Sequence, residues 1–174
     1  MKRNYCLLIM FLTAILLTIT SEYSYGGESN DILQRNRKCV KKCTKQANLI
    51  LRINCYTKYI EKNPQNPDLY YLRGETYLKV FKYNSAISDF IKVVELEPGN
   101  VEAYYLVAST ASLAYKKEYA LTWLQKALEA GFSDFERISE DPSLDNIRKG
   151  KGFKALMKQW DYELSSVEQQ PKKD

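Results

Sequence analysis

The stretch PDLYYLRGETYLKVFKYNSAISDFIKVVELEPGN, residues 67–100, decides the fold, because a second stretch with the same pattern follows it at once. The second stretch is VEAYYLVASTASLAYKKEYALTWLQKALEAGFSD, residues 101–134, and the two align without a gap at a shift of 34 residues. In this alignment Gly74 meets Ala108. A fixed period of this size is typical of stacked-repeat architectures, in which neighbouring copies bury a continuous core.

Each copy predicts a hairpin of two amphipathic helices. In the first copy Asn66 and Pro67 suit the start of a helix, and Tyr70, Gly74 and Tyr77 recur at helical spacing. The pattern breaks near residues 82–84. A second apolar stripe then runs until Pro98 and Gly99, and it consists of Ala86, Ile87, Phe90, Val93 and Val94.

Gly74 lies in the interior of the first predicted helix, where glycine costs about 1 kcal/mol relative to alanine. The position therefore predicts that another helix approaches closely. We expect Gly74 and Ala108 to face the partner helices of their own hairpins, near Ala86 and Ala120.

The two copies resemble the tetratricopeptide-repeat family. The first copy matches the family's signature at Tyr70, Gly74, Tyr77, Ala86, Phe90 and Pro98, and the second at Tyr104, Ala108, Ala120 and Leu124. Arg73 departs from the usual leucine, Ala111 replaces the second tyrosine, and the second copy has no closing proline. The resemblance implies an all-α fold, a right-handed α-solenoid of stacked helical hairpins with a C-terminal capping helix.

The N-terminal residues 1–26 are interpreted as an export signal. Lys2 and Arg3 precede an apolar run from Cys6 to Ile19, which is shorter than the roughly 20 residues that span a bilayer. Small residues near Gly26 suit cleavage there. We expect a periplasmic or secreted chain, and the alternative is an uncleaved N-terminal segment that anchors the chain to the membrane.

Both flanks of the repeats predict further helices. Residues 27–66 are interpreted as a degenerate hairpin, in which Tyr56 stands where Phe90 stands, and residues 67–134 as two full repeats. Residues 135–167 predict capping helices, and residues 168–174 a flexible tail. Gly131 suits a helix end, Ser133 suits the next helix start, and an apolar stripe (Phe153, Leu156, Met157, Trp160 and Leu164) suits a terminal helix.

Three cysteines follow the predicted signal, at positions 39, 43 and 55. In an antiparallel hairpin, Cys39 lies closer to Cys55 than Cys43 does. We therefore expect a structural disulfide between Cys39 and Cys55 in an oxidising compartment. Buried free thiols are one alternative. A thiol-dependent redox or disulfide-linked envelope protein that uses Cys39, Cys43 and Cys55 is the other.

The family resemblance also implies a binding surface, because the first helix of each hairpin lines a concave groove in this family. The residues expected to face it are Asp68, Tyr71, Glu75, Leu78, Lys79, Glu102, Tyr105, Ser109 and Ser112. Tyr71 and Tyr105 are the predicted aromatic anchors, and the alternative is that both only pack. Glu75 and Ser109 stand where the asparagine of a clamp for acidic chaperone tails is found, so no such binding is expected.

Composition and motifs favour a binding module over an enzyme. The chain has no histidine, which removes the commonest general base and metal ligand, and no phosphate loop or paired nucleophile and base. We expect no metal, cofactor or small-molecule substrate, and no nucleic acid. The predicted partner is a protein or peptide, bound by an exported adaptor or assembly factor. The basic helix over residues 35–45 is interpreted as a solvated face, and the alternative is a docking patch for an acidic protein or a peripheral contact with an anionic membrane surface.

Overall fold

The computed structural model describes residues 37, 38 and 40–168, and the side chains of these residues up to Trp160. The described residues divide into two units, one before residue 45 and one from residue 45 onward. In the first unit, residues 37, 38 and 40–44 are helical. The predicted signal over residues 1–26 and Cys39 lie outside the described residues, as do residues 169–174 of the predicted tail.

The second unit is built from consecutive helices joined by short turns. Its first five helices are α1 (Leu49–Lys62), α2 (Pro67–Lys79), α3 (Tyr83–Leu96), α4 (Val101–Leu113) and α5 (Lys117–Glu129). There follow α6 (Phe135–Glu140), a 3-10 turn (Pro142–Leu144), α7 (Asp145–Arg148) and α8 (Lys151–Glu168). Each helix from α1 to α4 packs against the next one in the chain. The described residues include no β-strand, and the predicted all-α solenoid of helical hairpins is confirmed.

Asparagine side chains start the first helix of each hairpin. The Asn66 side chain accepts a hydrogen bond from the backbone N–H of Asp68 at 3.1 Å, and that of Asn100 accepts one from Ala103 at 3.2 Å. These bonds satisfy backbone donors that have no partner within the helix. The second helices, α3 and α5, instead begin after Lys82 and Lys116, whose side chains make no capping hydrogen bond.

Gly74 allows α2 and α3 to lie in close contact. A Cβ atom at Gly74 would lie only 2.7 Å from Cε1 of Phe90 on α3. The prediction that Gly74 faces its partner helix is therefore confirmed, and the group it touches is the Phe90 ring, one helical turn beyond Ala86. Phe90 and Ala86 are fully buried.

The structure explains why Arg73 replaces an apolar residue of the repeat pattern. Its Nε and Nη2 atoms donate to the two carboxylate oxygens of Asp89 at 2.8 and 2.7 Å, and its Nη1 donates to Thr57 Oγ1 at 3.0 Å. The rings of Tyr70 and Tyr77 lie 5.7 and 5.8 Å from the guanidinium carbon. Through these contacts the Arg73 side chain on α2 links α1 to α3.

The C-terminal helices close the end of the stack. Gly131 adopts φ +101° just after α5, and Asp134, not the predicted Ser133, caps α6 by accepting from the N–H of Arg137. On α8 the side chains of Phe153 and Leu156 are buried, whereas that of Leu164 lies outside the described side chains. Helix α8 packs against α5 and α7, as a capping helix does. In the part of the chain that is described, no helix has both the length and the apolarity to cross a membrane.

Candidate functional site

One face of α2 is accessible along the length of the helix. Tyr71, Glu75 and Leu78 are half-buried on it, and Asp68 and Lys79 are exposed. Their spacing of three and four residues places them on one side of the helix. These five residues are called the α2 face, and all of them are at least partly accessible to solvent.

The equivalent face of α4 is closed, which corrects the sequence prediction for three residues. Tyr105, Ser109 and Ser112 are 0%, 5% and 0% exposed. They cannot line an open binding surface in this conformation. Tyr105 is therefore a packing residue, which was the alternative interpretation given for the two tyrosines.

The chain's own C-terminal segment covers the α4 face. The ring of Tyr105 stacks on that of Phe132 with centroids 4.4 Å apart and planes 5° apart, and its hydroxyl donates to Asp141 Oδ2 at 2.7 Å. Farther along α4, Asn146 Nδ2 donates to the carbonyl oxygen of Ser112 at 2.8 Å. A groove that ran from α2 across α4 would therefore be occupied, over α4, by the chain's own C-terminal segment.

Arg137 marks the border between the open and the closed faces. Its Nη1 and Nη2 atoms donate to the carboxylate of Glu102 at 2.9 and 2.8 Å, and its guanidinium carbon lies 4.3 Å from the centroid of the Tyr105 ring. Glu102, predicted to meet a partner, is half-buried and committed to this bidentate pair. The pair fixes α6 against the N-terminal turn of α4.

Electrostatics keep both tyrosines of the predicted pair protonated. Burial, followed by the carboxylates of Glu75 and Glu102, raises the pKa of Tyr71 above its usual value. Burial and the hydrogen bond to Asp141 raise the pKa of Tyr105 further. Burial acts upward on the pKa of Asp141 too, but the hydrogen bonds from Tyr105 and Ser143 outweigh it, and the net pKa is lowered. The Tyr71 hydroxyl is thus a hydrogen-bond donor at the accessible face.

The sequence did not reveal the residues that close α4. Arg137, Asp141 and Asn146 lie 34–36 residues along the chain from the groups they bind. The signal that the sequence carries in this segment is Asp141-Pro142, which indicates only the end of a helix, because proline cannot continue one. Proline at that point ends α6 and lets Asp141 cap the 3-10 turn by accepting from the N–H of Ser143 at 2.9 Å.

Cys43 and Cys55 are both disulfide-bonded. Because Cys39 lies outside the described residues, the pairing of Cys39 with Cys55 stays a prediction. Within the described residues there is no cluster of three or more side chains able to hold a metal ion. In the basic segment, Arg37, Lys38, Lys41 and Lys42 are exposed.

Comparison with known sequences points to one family. The family model described as tetratricopeptide repeat matches residues 55–87, which run from α1 into the start of α3. A chloroplastic protein of Arabidopsis thaliana is 49% identical over 41 residues, which make up 24% of this chain and 12% of that protein. The match thus spans about an eighth of the relative's length.

Solved structures share the fold over most of the chain. A crystal structure of MamA superposes with a TM-score of 0.57 at 25% identity, over 72% of this chain and 71% of that one. The first TPR of Spaghetti (RPAP3), solved bound to the HSP90 peptide SRMEEVD, gives a TM-score of 0.55 at 24% identity over 74% and 94%. The TPR2B domain of yeast Sti1, from a complex with pHsp70, gives 0.51 at 20% over 72% and 96%. The 34-residue period, the stacked hairpins and these matches together show that the chain has a tetratricopeptide-repeat fold, with the family match lying over residues 55–87.

Proposed function

We propose that this chain is a protein-interaction module that binds a peptide or helix of a partner protein on the α2 face. The accessibility of Tyr71, Glu75 and Leu78, on a helix whose equivalent in the next repeat is covered, carries the proposal. Tyrosine is enriched at binding hot spots, so the half-buried Tyr71 offers an aromatic anchor, and Leu78 adds apolar contact area beside it. The C-terminal segment limits the site to about one repeat.

The charges of the α2 face favour a partner segment with basic and apolar side chains. Asp68 and Glu75 carry carboxylates there, and Lys79 is the one cation among the five residues that define the face. The HSP90 peptide bound by the first TPR of Spaghetti has the acidic sequence SRMEEVD. A peptide of that charge would meet Glu75 and, on α4, a buried Ser109, so we propose a ligand class different from that of the Spaghetti domain.

We further propose that the chain acts as an exported adaptor or assembly factor in the periplasm or outside the cell. Two disulfide-bonded cysteines support an oxidising compartment, where such bonds persist. The apolar run from Cys6 to Ile19 supports export, and the uncleaved anchor is the alternative outcome. The proposal assigns the chain no reaction. If the chain acted by thiol chemistry instead, a count of reactive thiols in the native protein would find accessible free cysteines.

Site-specific photocrosslinking tests the proposed surface. A photoreactive amino acid at Lys79, on the α2 face, is compared in the cells of origin with the same group at Gln125, which is exposed on α5. We expect a partner captured from position 79 and not from position 125. The captured partner's segment is then titrated against wild-type protein and the variants Tyr71→Ala and Glu75→Arg.

The two variants keep the test independent of folding. Tyr71 contacts the buried Phe90 ring edge-on at 6.0 Å, so Tyr71→Ala is accepted as evidence only if its thermal unfolding stays cooperative. Glu75→Arg leaves the core unchanged and reverses one charge. We expect each to weaken binding by about tenfold or more. Equal capture from both positions, or unchanged affinity of both variants, would contradict the proposal.

A further inference from the structure

The two hairpin turns of the repeats each expose a large aromatic side chain. Phe81, between α2 and α3, is 76% exposed, and Tyr115, between α4 and α5, is 74% exposed. They occupy equivalent positions, 34 residues apart. Among the described residues no other large hydrophobic side chain reaches this exposure, the next being Leu51 at 55%.

The backbone at these two residues does not favour aromatic side chains. Phe81 has φ +58° and Tyr115 has φ +59°, which is the left-handed region where bulky residues are uncommon and glycine fits without steric cost. Neither burial nor local conformation therefore accounts for a ring at either turn. Outliers of this kind are found preferentially at functional positions.

The two turns border a shared cleft of about 460 Å³. Its lining residues come only from the two turns and the helix ends beside them: Phe81, Lys82, Tyr83, Asn84, Ser85, Leu113, Ala114, Tyr115 and Lys116. The volume is in the range of sites that take up large side chains or small ligands. Tyr83 adds a third ring, set edge-on to Phe81 with centroids 6.3 Å apart.

The cleft has a positive electrostatic character. Lys82 and Lys116 belong to its lining, and none of the nine lining residues is acidic. Both lysines also precede helices, α3 and α5, that have no side-chain cap. The free backbone N–H groups and the positive end of the helix dipole at α3 add to the charge of the two lysines.

We propose that this turn cleft is a second interaction site, which docks an acidic segment of a partner protein. An aromatic or large aliphatic side chain of the segment lies between Phe81 and Tyr115, and flanking carboxylates approach Lys82 and Lys116. The preferred charge is opposite to that of the α2 face, so the two sites take different segments. The lining is confined to the two turns and the helix ends beside them, an extent that fits one inserted side chain and its neighbours better than it fits a membrane surface.

Panning of a random dodecapeptide phage library on the full chain tests the proposal. The variant Phe81→Asn with Tyr115→Asn serves as the counter-selection target, because asparagine tolerates the left-handed conformation and leaves the turns intact. We expect the peptides that depend on the two rings to carry Asp or Glu beside Trp, Phe or Leu. Synthetic copies should bind wild type at least about tenfold more tightly than the double variant.

Two further variants separate this site from the α2 face and from non-specific charge. Lys82→Glu with Lys116→Glu should weaken the same peptides, and Glu75→Arg should leave their affinity unchanged. Failure of the α2 face to bind any partner would not alter these results. Anionic phosphatidylglycerol vesicles form the remaining probe, and they should bind wild type and the Asn double variant equally.

Several outcomes would overturn the proposal. These are a library that returns no sequence dependent on Phe81 and Tyr115, selected peptides that are basic, and selected peptides that the two lysine substitutions do not weaken. Vesicle binding that is lost in the Asn double variant would also overturn it, because the rings would then contact lipid. Thermal unfolding of every variant is measured alongside, and the Asn double variant is expected to unfold like wild type.

Discussion

Gly74→Ala probes how closely the helices of the first hairpin approach. The new Cβ atom would lie 2.7, 3.0 and 3.1 Å from three atoms of the Phe90 ring. Because ordinary contact begins at about 3.4 Å, the ring has to move by roughly 0.7 Å. Phe90 is fully buried, and its edge-on contact with Tyr71 restricts where the ring can go.

Two opposing effects set the size of the change. Overpacking of a well-packed core costs about 1–3 kcal/mol. Alanine in place of glycine inside a helix stabilises by about 1 kcal/mol. The difference between the two effects is about 0–2 kcal/mol, so we expect Gly74→Ala to lower the free energy of unfolding by up to about 2 kcal/mol, whereas helix propensity alone would raise it.

Urea denaturation followed by circular dichroism measures the change, and two glycines serve as controls. Gly99→Ala places its Cβ with nothing within 4 Å, so stability should be unchanged or rise by up to about 1 kcal/mol. Gly152→Ala meets only Leu121 Cδ1 at 2.7 Å, the end of a side chain that can turn away, so its cost should be smaller than that at Gly74.

A second substitution shows whether the Phe90 ring is the cause. Phe90→Leu removes the two nearest ring atoms that the new Cβ meets, Cε1 and Cζ, so the double variant should be more stable than the sum of the single effects by about 1 kcal/mol. A Gly74→Ala protein as stable as the Gly99→Ala protein, with no coupling to Phe90→Leu, would refute the close approach.

Other substitutions test the remaining parts of the account. Arg73→Leu leaves the buried carboxylate of Asp89 without its ion pair, so urea denaturation should show a loss of about 3–5 kcal/mol, most of it recovered when Asp89→Leu is added; a loss under about 1 kcal/mol would contradict this. The lowered pKa of Asp141 means that its stabilising contribution is present above the ordinary value of 3.8 and is lost as pH falls through the lower pKa of the folded state. Tyr105→Phe removes one of the hydrogen bonds that lower this pKa, so it should cost about 1–3 kcal/mol at pH 7 and flatten the loss of stability below pH 3.8, and parallel acid titrations of both proteins would contradict this. Phe81→Asn should leave the free energy of unfolding unchanged or raise it by up to about 1 kcal/mol, because the ring is exposed and asparagine suits the left-handed backbone better than phenylalanine; a loss above about 0.5 kcal/mol in urea would assign the ring a structural role.

The repeat was predictable because its signals are local and occur twice. The asparagine caps, the glycine in α2 and the apolar stripe of α3 each depend on neighbours within one or two turns. Tyr56 and Phe90 were matched across two hairpins from sequence, and both are buried. A period of 34 residues repeats these signals and fixes the pairing of the helices.

The closed half of the site was not predictable, because it depends on contacts between distant residues. The pattern placed Tyr105 and Ser109 on the same helix face as their counterparts Tyr71 and Glu75. It gave no sign that Asp141 and Asn146 would return to cover that face. Nothing in the sequence indicated that Asp89 pairs with Arg73. An acidic residue on an amphipathic helix is normally expected on the face that meets solvent.

The turn cleft was missed because the sequence does not display backbone angles. The sequence pattern indicates only a break near residues 82–84, and the identity of a residue beside such a break, as Phe81 is, carries little weight. Only φ values of +58° and +59° show that the positions of Phe81 and Tyr115 favour glycine, so that the rings become unusual.

The central claim is that a partner binds the α2 face, and the affinity of the captured segment for matched tyrosine variants tests it most directly. Isothermal titration of wild type, Tyr71→Ala and Tyr119→Ala compares a tyrosine on that face with one that is 40% exposed on α5. The account predicts a loss of about tenfold or more for Tyr71→Ala and a change under about twofold for Tyr119→Ala. Equal affinities for all three proteins, each cooperatively folded, would place the binding surface elsewhere and contradict the claim.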